Sequence, residues 1–540
     1  MTDKKPYQYL KALLGKERFA NQSFHDFLAA DSNVERFEIS DEHNFEGVLY
    51  VKNSEERRPK WAQLADSLVG EQVEQLTNRS SSAVLIIRVD GGVLAFPFGY
   101  GRFLLNITCF EQDFGLKSAL NTLDHESLRS IDLHTLEDQP IQKKSQTLRG
   151  SEASVFGIDI FKDVLRAVTG APRPGVNYKN IAGGDAIYSF GVEMLVNEFP
   201  RVAGELVDYY RGDLYKTSFS WVDNIRRIKD GGTISDLDQA LVNAIKNNDQ
   251  DLVITLPEII KWDEIRGFSF TRTKGDITPT IESAKYLDNV DAATVSVESI
   301  KRDRLYVTDI HQNEFNYSIY TCLYLEIDQG DTKKIIFGGV WYEIDKSFMS
   351  EIESILSQVE VTDIAFPPIE EWIEEDKYKI ETEADYNVRA SAFLGCHLLD
   401  KKLVKSTKTT SPIELCDLFT AQRQLIHAKH RKGGSAGLSH LFAQGNVSAE
   451  VLLGDRTFRK KARTVLRRVN PLAVDLVPID GLKSADYEVV FLILGADSNN
   501  VKQSLPFFSK VNLARTFENL SQRGFTVRIG GAAKVSRENA

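Results

Sequence analysis

The chain of 540 residues is poor in cysteine and has no long apolar run. Four cysteines (Cys109, Cys322, Cys396, Cys416) in so long a chain do not form a disulfide framework. The aliphatic run Val489–Ala496 falls far short of the ~20 residues that cross a bilayer. The opening segment Met1–Phe19 has no apolar core of signal-peptide type. A cytoplasmic protein without membrane contact is therefore expected. Internal repeats and low-complexity tracts are missing too, which removes solenoids from consideration. A general positive charge is also lacking. The net charge of −11 argues against a surface coated in basic residues, though not against a local basic site.

The apolar fraction of 42% is that of a globular chain, so general disorder is excluded. The length and punctuation suggest a multi-domain α+β protein with an N-terminal domain at 1–170, a middle domain at 171–366 and a C-terminal domain at 367–540. Charge is split along the chain. Glu351–Asp385 carries twelve acids against two lysines, and Asp400–Arg468 carries fifteen bases against five acids. Such a reversal suggests a boundary, and an anionic partner for the second window.

In the first region, Ala83–Asp90 and Val93–Phe98 flank Gly91-Gly92 and read as a hairpin. Phe98-Gly99-Tyr100-Gly101-Arg102 follows. A Gly-x-Gly can cradle phosphate, but the third glycine and the helix of a dinucleotide fingerprint are missing, and a tight turn is the reading. Apolar spacing predicts a helix over Ile158–Val168, closed by Gly170, with Pro172 and Pro174 marking a linker. Further on, Gly191–Tyr210, Ser235–Lys246 and Ser347–Val359 read as helices. Ser318–Ile327 and Lys334–Glu343 read as strands, with Trp341 in the core.

The stretch Glu381–Leu453 carries the chemistry. It reads as a helix (Thr382–Phe393), three strands (His397–Lys405, Ile413–Phe419, Gln424–His430) and a second helix (Ser435–Leu453). Strand side chains alternate faces. Parity therefore puts His427 and Lys429 on one face of the third strand. It sets Asp417 at the end of an apolar row, where a carboxylate calls for a cation or a basic partner. Cys396, His397, Cys416, His427, His430 and His440 also crowd this region. However, the paired close spacing of a structural zinc site is missing. A serine or cysteine hydrolase lacks its Gly-x-Ser-x-Gly elbow.

This order of elements resembles the PD-(D/E)XK nuclease superfamily, and implies a restriction-endonuclease-like α-β-β-β-α core in the C-terminal domain. The resemblance makes Glu383 (or Glu381) the helix acid, Asp417 the strand-end aspartate, Lys429 the catalytic lysine and Gln444 the late glutamine. The implied cofactor is Mg²⁺ or Mn²⁺ on Asp417, Glu414 and Glu383, which would neutralise charge on a phosphodiester under attack. His427 departs from the pattern, standing where the superfamily places an acid. It is read as a ligand for Mn²⁺, a general base or a phosphate contact. Glu414 replaces the missing carboxylate only if its strand bends, since ideal parity turns it away.

Two basic segments would hold the nucleic-acid backbone. Arg431, Lys432 and Ser435 lead into the second helix. Arg456, Arg459, Lys460, Lys461 and Arg463 lie on the run that follows, which reads equally as a solvated helix face. Further blocks are Phe98-Gly99-Tyr100-Gly101-Arg102, Asp113-Phe114-Gly115-Leu116, Gly339-Val340-Trp341-Tyr342, Leu438–Gln444 and Leu505–Ser509. With these the whole chain resembles a sporadically distributed bacterial family of phage-defence and restriction-type gene neighbourhoods. The family lends no established activity; the nuclease resemblance, joined to such neighbourhoods, implies a metal-dependent nuclease cleaving foreign nucleic acid, DNA ahead of RNA. The rival readings are a nuclease fold that binds without cutting, and a defence scaffold docking a partner protein. Self-association stays open.

Overall fold

The computed structural model describes residues 5–537, except 31, 54, 57, 60–61, 78, 136–140, 161–162, 250, 258–264, 273–276, 310–313, 375–376, 410 and 432–433. Helices combined with several separate sheets make it a multi-domain α+β chain. No helix among the described residues is long and apolar enough to cross a membrane. Two compact units emerge: Met1–Thr135 with Gln142–Val222, and Leu136–Ile141 with Asp223–Ala540. The break expected at 170 falls inside the strand Asp163–Pro172, which is paired on both sides. The break expected at 366 lies inside the second unit.

The first unit is built on a ten-stranded sheet. The expected hairpin is present as Ser81–Val89 and Gly92–Gly99. Gly99 turns the chain at a φ of +57°, and Gly101 rests against the Ala83 carbonyl, where a Cβ would lie 1.9 Å from the oxygen. The Gly-x-Gly is thus a tight turn. Helices Phe114–Thr122 and Phe199–Arg211 supply Phe114, Leu120, Val202 and Leu206 to the core.

Two expectations here are corrected. Described residues of Ile158–Val168 that were predicted helical belong largely to the strand Asp163–Pro172. Leu165 and Val168 fit a helical period, but pairing with Leu123–Thr135 and Lys179–Gly184 decides the outcome. Gly191–Tyr210 opens with the end of a strand, Ile187–Glu193, before its helix begins at Phe199.

The second unit begins with a five-stranded antiparallel sheet. Trp341 is core, only 2% exposed, and its indole N–H donates to Asp238 at 2.9 Å. Ser318–Ile327 is split into a helical turn, Ile319–Cys322, and a strand, Leu323–Gln329. Lys334–Glu343 is a hairpin, Thr332–Phe337 and Val340–Ile344, turning at Gly338-Gly339.

The C-terminal sheet positions the site. Its elements in chain order are β1 (Glu360–Val361), α1 (Glu383–Leu394), β2 (His397–Leu398), β3 (Leu418–Phe419), β4 (Gln424–His430), α2 (Gly434–Gly454), α3 (Arg456–Val469), β5 (Glu488–Leu494), α4 (Phe507–Gln522) and β6 (Thr526–Ala532). Strand order is β1-β6-β5-β4-β3-β2. Strands β1, β6, β5 and β4 run parallel, and β3 and β2 add on antiparallel. Six of the seven β5 residues are buried, as a parallel strand covered on both faces requires. One face packs Ile426, Ala428, Val490 and Leu492 with Tyr386 and Ala390 of α1. On the other, Phe442 of α2 meets Phe491 edge-on with ring centroids 5.1 Å apart.

The predicted first and second strands of this region are each broken. Leu403–Val404 and Ile413–Glu414 pair as a separate ribbon, leaving only short β2 and β3 in the main sheet. Asp417 sits at the break. Its N–H donates to the Ile426 carbonyl, and its own carbonyl accepts from the N–H groups of Leu399 and Asp400. The backbone is thus satisfied without a continuous ladder, and the chain bends at this point.

Candidate functional site

The bend at Asp417 gathers acids from three places. Asp417 is 5% exposed, and its Oδ2 accepts the Ala428 N–H of β4 at 2.8 Å, taking the place of a ladder carbonyl. Asp400 follows β2, fixed by its N–H bond to the Asp417 carbonyl at 3.0 Å. Glu414 ends the small ribbon. One carboxylate oxygen from each of Asp400, Glu414 and Asp417 lies within 4.8 Å of the others. Among the described residues this is the one such group of histidine, cysteine, aspartate or glutamate side chains. The cysteines and histidines nearby do not form another. Ideal parity turned Glu414 away, but the break in the strand brings it in.

Two neighbours complete the set. Gln444 of α2 donates from Nε2 to Glu414 Oε2 at 3.0 Å. Glu383, the first residue of α1, accepts from Lys429 Nζ at 2.9 Å and from the His430 N–H at 3.1 Å. Thr382 caps this helix by accepting the Asp385 N–H, which fixes the position of Glu383. Glu381 is placed differently. Arg389 grips it at 2.9 and 2.6 Å, so it is a structural ion pair and Glu383 is the helix acid at the site. A cleft of about 670 Å³ opens here, with Glu383, Asp400, Lys401, Lys429 and His430 on its walls.

The electrostatics follow from burial and crowding. Burial first, then the charges of Glu414, Asp400 and Glu383, push the Asp417 carboxyl up to about 7, opposed by the Ala428 hydrogen bond. Glu414 is likewise raised, by burial and then by Asp400. Like charges held this close need a proton or a cation.

His427 stands apart from this group. It is fully buried beneath α2, stacked on Phe491 with centroids 6.2 Å apart. Its Nε2 lies 3.2 Å from the Ser448 hydroxyl, and Nδ1 has no hydrogen-bond partner among the described residues. Burial pushes its pKa down to about 3, so the ring is neutral. Gly445 makes room for it: a Cβ there would stand 2.4 Å from Phe491 and 3.3 Å from the His427 ring. The roles of ligand, base and phosphate contact given to His427 by strand position are therefore withdrawn. Lys429, expected on the same face, instead carries its ammonium to α1.

The basic segments divide. Arg459 is 9% exposed and donates to the carbonyls of Ile479, Leu452 and Leu453. Arg463 donates to those of Val474 and Val477. Arg459 ties the end of α2 and the chain beyond α3 to α3, Arg463 clamps the chain beyond α3, and their assignment to nucleic acid is corrected to a folding role. Arg456 is paired with Asp480 at 2.6 and 2.9 Å, and Lys461 reaches the Lys405 carbonyl. Lys460, Arg467 and Arg468 are exposed on α3. Arg431 is half-buried beside His430, in a smaller cleft shared with Asp251 and Lys534. Lys432 and the side chain of Ser435 lie outside the described residues.

Asp400 is the residue that sequence reasoning missed at this site. Its signal was a carboxylate directly after the apolar Leu398-Leu399 pair and directly before Lys401-Lys402.

The chain belongs to a family of unknown function, DUF6119, which it matches over residues 10–532. No curated protein and no solved structure matches it.

Proposed function

We propose that the C-terminal sheet carries a metal-dependent phosphodiesterase site that cleaves nucleic acid, DNA ahead of RNA. The observation that carries this reading is the meeting of Asp400, Glu414 and Asp417, with Gln444 bonded to Glu414 and the Lys429–Glu383 pair close by. The order helix, three strands, two helices, strand, with β5 parallel to β4, supports a restriction-endonuclease-like core. The association with phage defence rests on the family resemblance alone.

The carboxylates fit a divalent cation. Three oxygens converge, and Asp417 is held near neutrality by burial and neighbouring charge, a strain that a cation relieves. With His427 excluded, the donors are all oxygen, which suits Mg²⁺. Asp400, Glu414 and Asp417 would hold the ion, and it would neutralise charge developing on the phosphodiester. Gln444 orients Glu414 through its hydrogen bond. Lys429 supplies positive charge at the cleft wall and orients an attacking water, while Glu383 holds its ammonium in place. Lys401 lines the same cleft and is available to a backbone phosphate.

The test is incubation of the full chain with plasmid, single-stranded DNA and RNA in Mg²⁺ or Mn²⁺. Cleavage should fall by about 10²-fold or more in Asp417→Ala and in Lys429→Ala. Equal activity in the variants would assign the cutting elsewhere. Salt-sensitive binding without cutting would favour the reading of an inactive nuclease fold.

A further inference from the structure

A second cavity lies outside this site, in the middle of the second unit, between the strands Ile265–Ser269 and Arg304–Asp309 and the helices Ser283–Leu287 and Val297–Arg302. Its volume is about 980 Å³, at the upper end for small-ligand sites. Its lining combines two chemistries.

Phe270, Tyr286 and Tyr306 supply aromatic surface. The Phe270 and Tyr286 rings stand 5.6 Å apart at 39°, and the Tyr286 hydroxyl is occupied by Asp303 at 3.0 Å. Tyr306 is half-buried, and its hydroxyl has no hydrogen bond among the described residues. It is therefore a polar handle beside an aromatic wall.

Four cations, Arg272, Lys285, Arg302 and Arg304, line the cavity against two acids. Both acids are already engaged within the protein. Asp303 takes the Tyr286 hydroxyl, and Asp291 takes the Ala293 N–H and the Thr294 hydroxyl. Of the cations, Arg304 is tied to the carbonyls of Lys301 and Asp303, and Lys285 lies 3.7 Å from Glu282. Arg302 is exposed, with no ion pair or hydrogen bond to its side chain among the described residues. Among the described residues Arg272 has one ion pair, with Glu314 at 4.0 Å. Arg302 thus remains for an external anion, with Arg272, held by Glu314 only at 4.0 Å, beside it, in a chain that is acidic overall. Guanidinium is the side-chain group best matched to phosphate oxygens.

We infer that this cavity binds a small nucleoside phosphate. The base would lie against Phe270 and Tyr306, and the phosphates would meet Arg302 and Arg272. A free phosphate would leave the aromatic wall unused, and a bare aromatic ring would leave the guanidiniums unpaired. This site is independent of the carboxylates at Asp417.

The test is calorimetric titration of the full chain, with metal chelated, using the four ribonucleoside triphosphates, adenosine and inorganic pyrophosphate. At least one triphosphate should bind more tightly than adenosine or pyrophosphate. Arg302→Ala, a change at an exposed side chain, should weaken that binding about tenfold or more. Phe270→Leu should weaken the triphosphate but leave pyrophosphate unchanged. Asp417→Asn should leave all of it intact, which separates this inference from the reading of the C-terminal site. The inference is overturned if no triphosphate binds, if pyrophosphate binds as tightly as the best triphosphate, or if Arg302→Ala changes nothing.

Discussion

Two buried titratable residues near β4 pull stability in opposite directions with pH. Asp417 has a folded pKa of about 7 against an ordinary aspartate value of 3.8, so in that window the folded chain holds a proton that the unfolded chain has released. Its contribution is fully present below about pH 4 and is lost as pH rises through 7, with an upper limit of about 4 kcal/mol. Asp417→Asn keeps an acceptor for the Ala428 N–H and removes the charge. In the absence of divalent ions, urea denaturation near pH 8 should find the variant more stable than the parent. His427 behaves in the opposite sense. Its folded pKa of about 3 lies below the ordinary histidine value of 6.5, so its contribution is present above pH 6.5 and is lost as pH falls toward 3. His427→Gln, neutral at every pH, should lose less stability than the parent between pH 6.5 and 4 in the same experiment. It should also retain cation-dependent cleavage, because His427 does not reach the cleft.

At the scale of elements, α2 and α3 are held by different devices. α2 approaches β5 closely at Gly445, so Gly445→Ala forces a Cβ into the Phe491 ring and should cost about 1–3 kcal/mol in chemical denaturation. α3 begins at Asp455, which accepts from the N–H groups of Thr457, Phe458 and Thr407 and from the Ser406 hydroxyl. Its buried side is fastened by Arg459 and Arg463. Arg459→Ala should therefore destabilise by about 2 kcal/mol or more, since three carbonyls lose their donor. Reversing the exposed Lys460, Arg467 and Arg468 should leave the melting temperature nearly unchanged and weaken DNA binding in a gel-shift titration.

The same elements show what could be read beforehand. The extents of β4 and α2 were legible within a few residues, because burial on two faces or a sustained helical period marks them plainly. The fate of Ile413–Phe419 was not, because its break depends on the Asp417 backbone bonding across to Leu399 and Ile426. That tertiary event brings Glu414 and Asp400 to the site and leaves His427 outside it. Likewise, a run of arginines looks the same in sequence whether its guanidiniums face solvent or clamp carbonyls.

For the whole molecule, opposing charge is the organising feature. The chain carries −11 overall, yet Asp400–Arg468 has ten more bases than acids. Several of those bases are engaged in the fold, so the surface available to phosphate is smaller than the count implies. The proposed binding to DNA should accordingly weaken with salt less steeply than fifteen bases would imply, with a slope set by the few bases around Lys401, Arg431 and α3.

The central claim is that Asp400, Glu414 and Asp417 form a site completed by a divalent cation. The most direct measurement is the melting temperature near pH 8, with and without millimolar Mg²⁺, for the parent chain and for Asp417→Asn. The account predicts that Mg²⁺ raises the parent and leaves the variant unmoved, so that the variant is the more stable of the two without the ion and loses that lead when it is added. A parent indifferent to Mg²⁺, or a variant that responds as strongly as the parent, would contradict it.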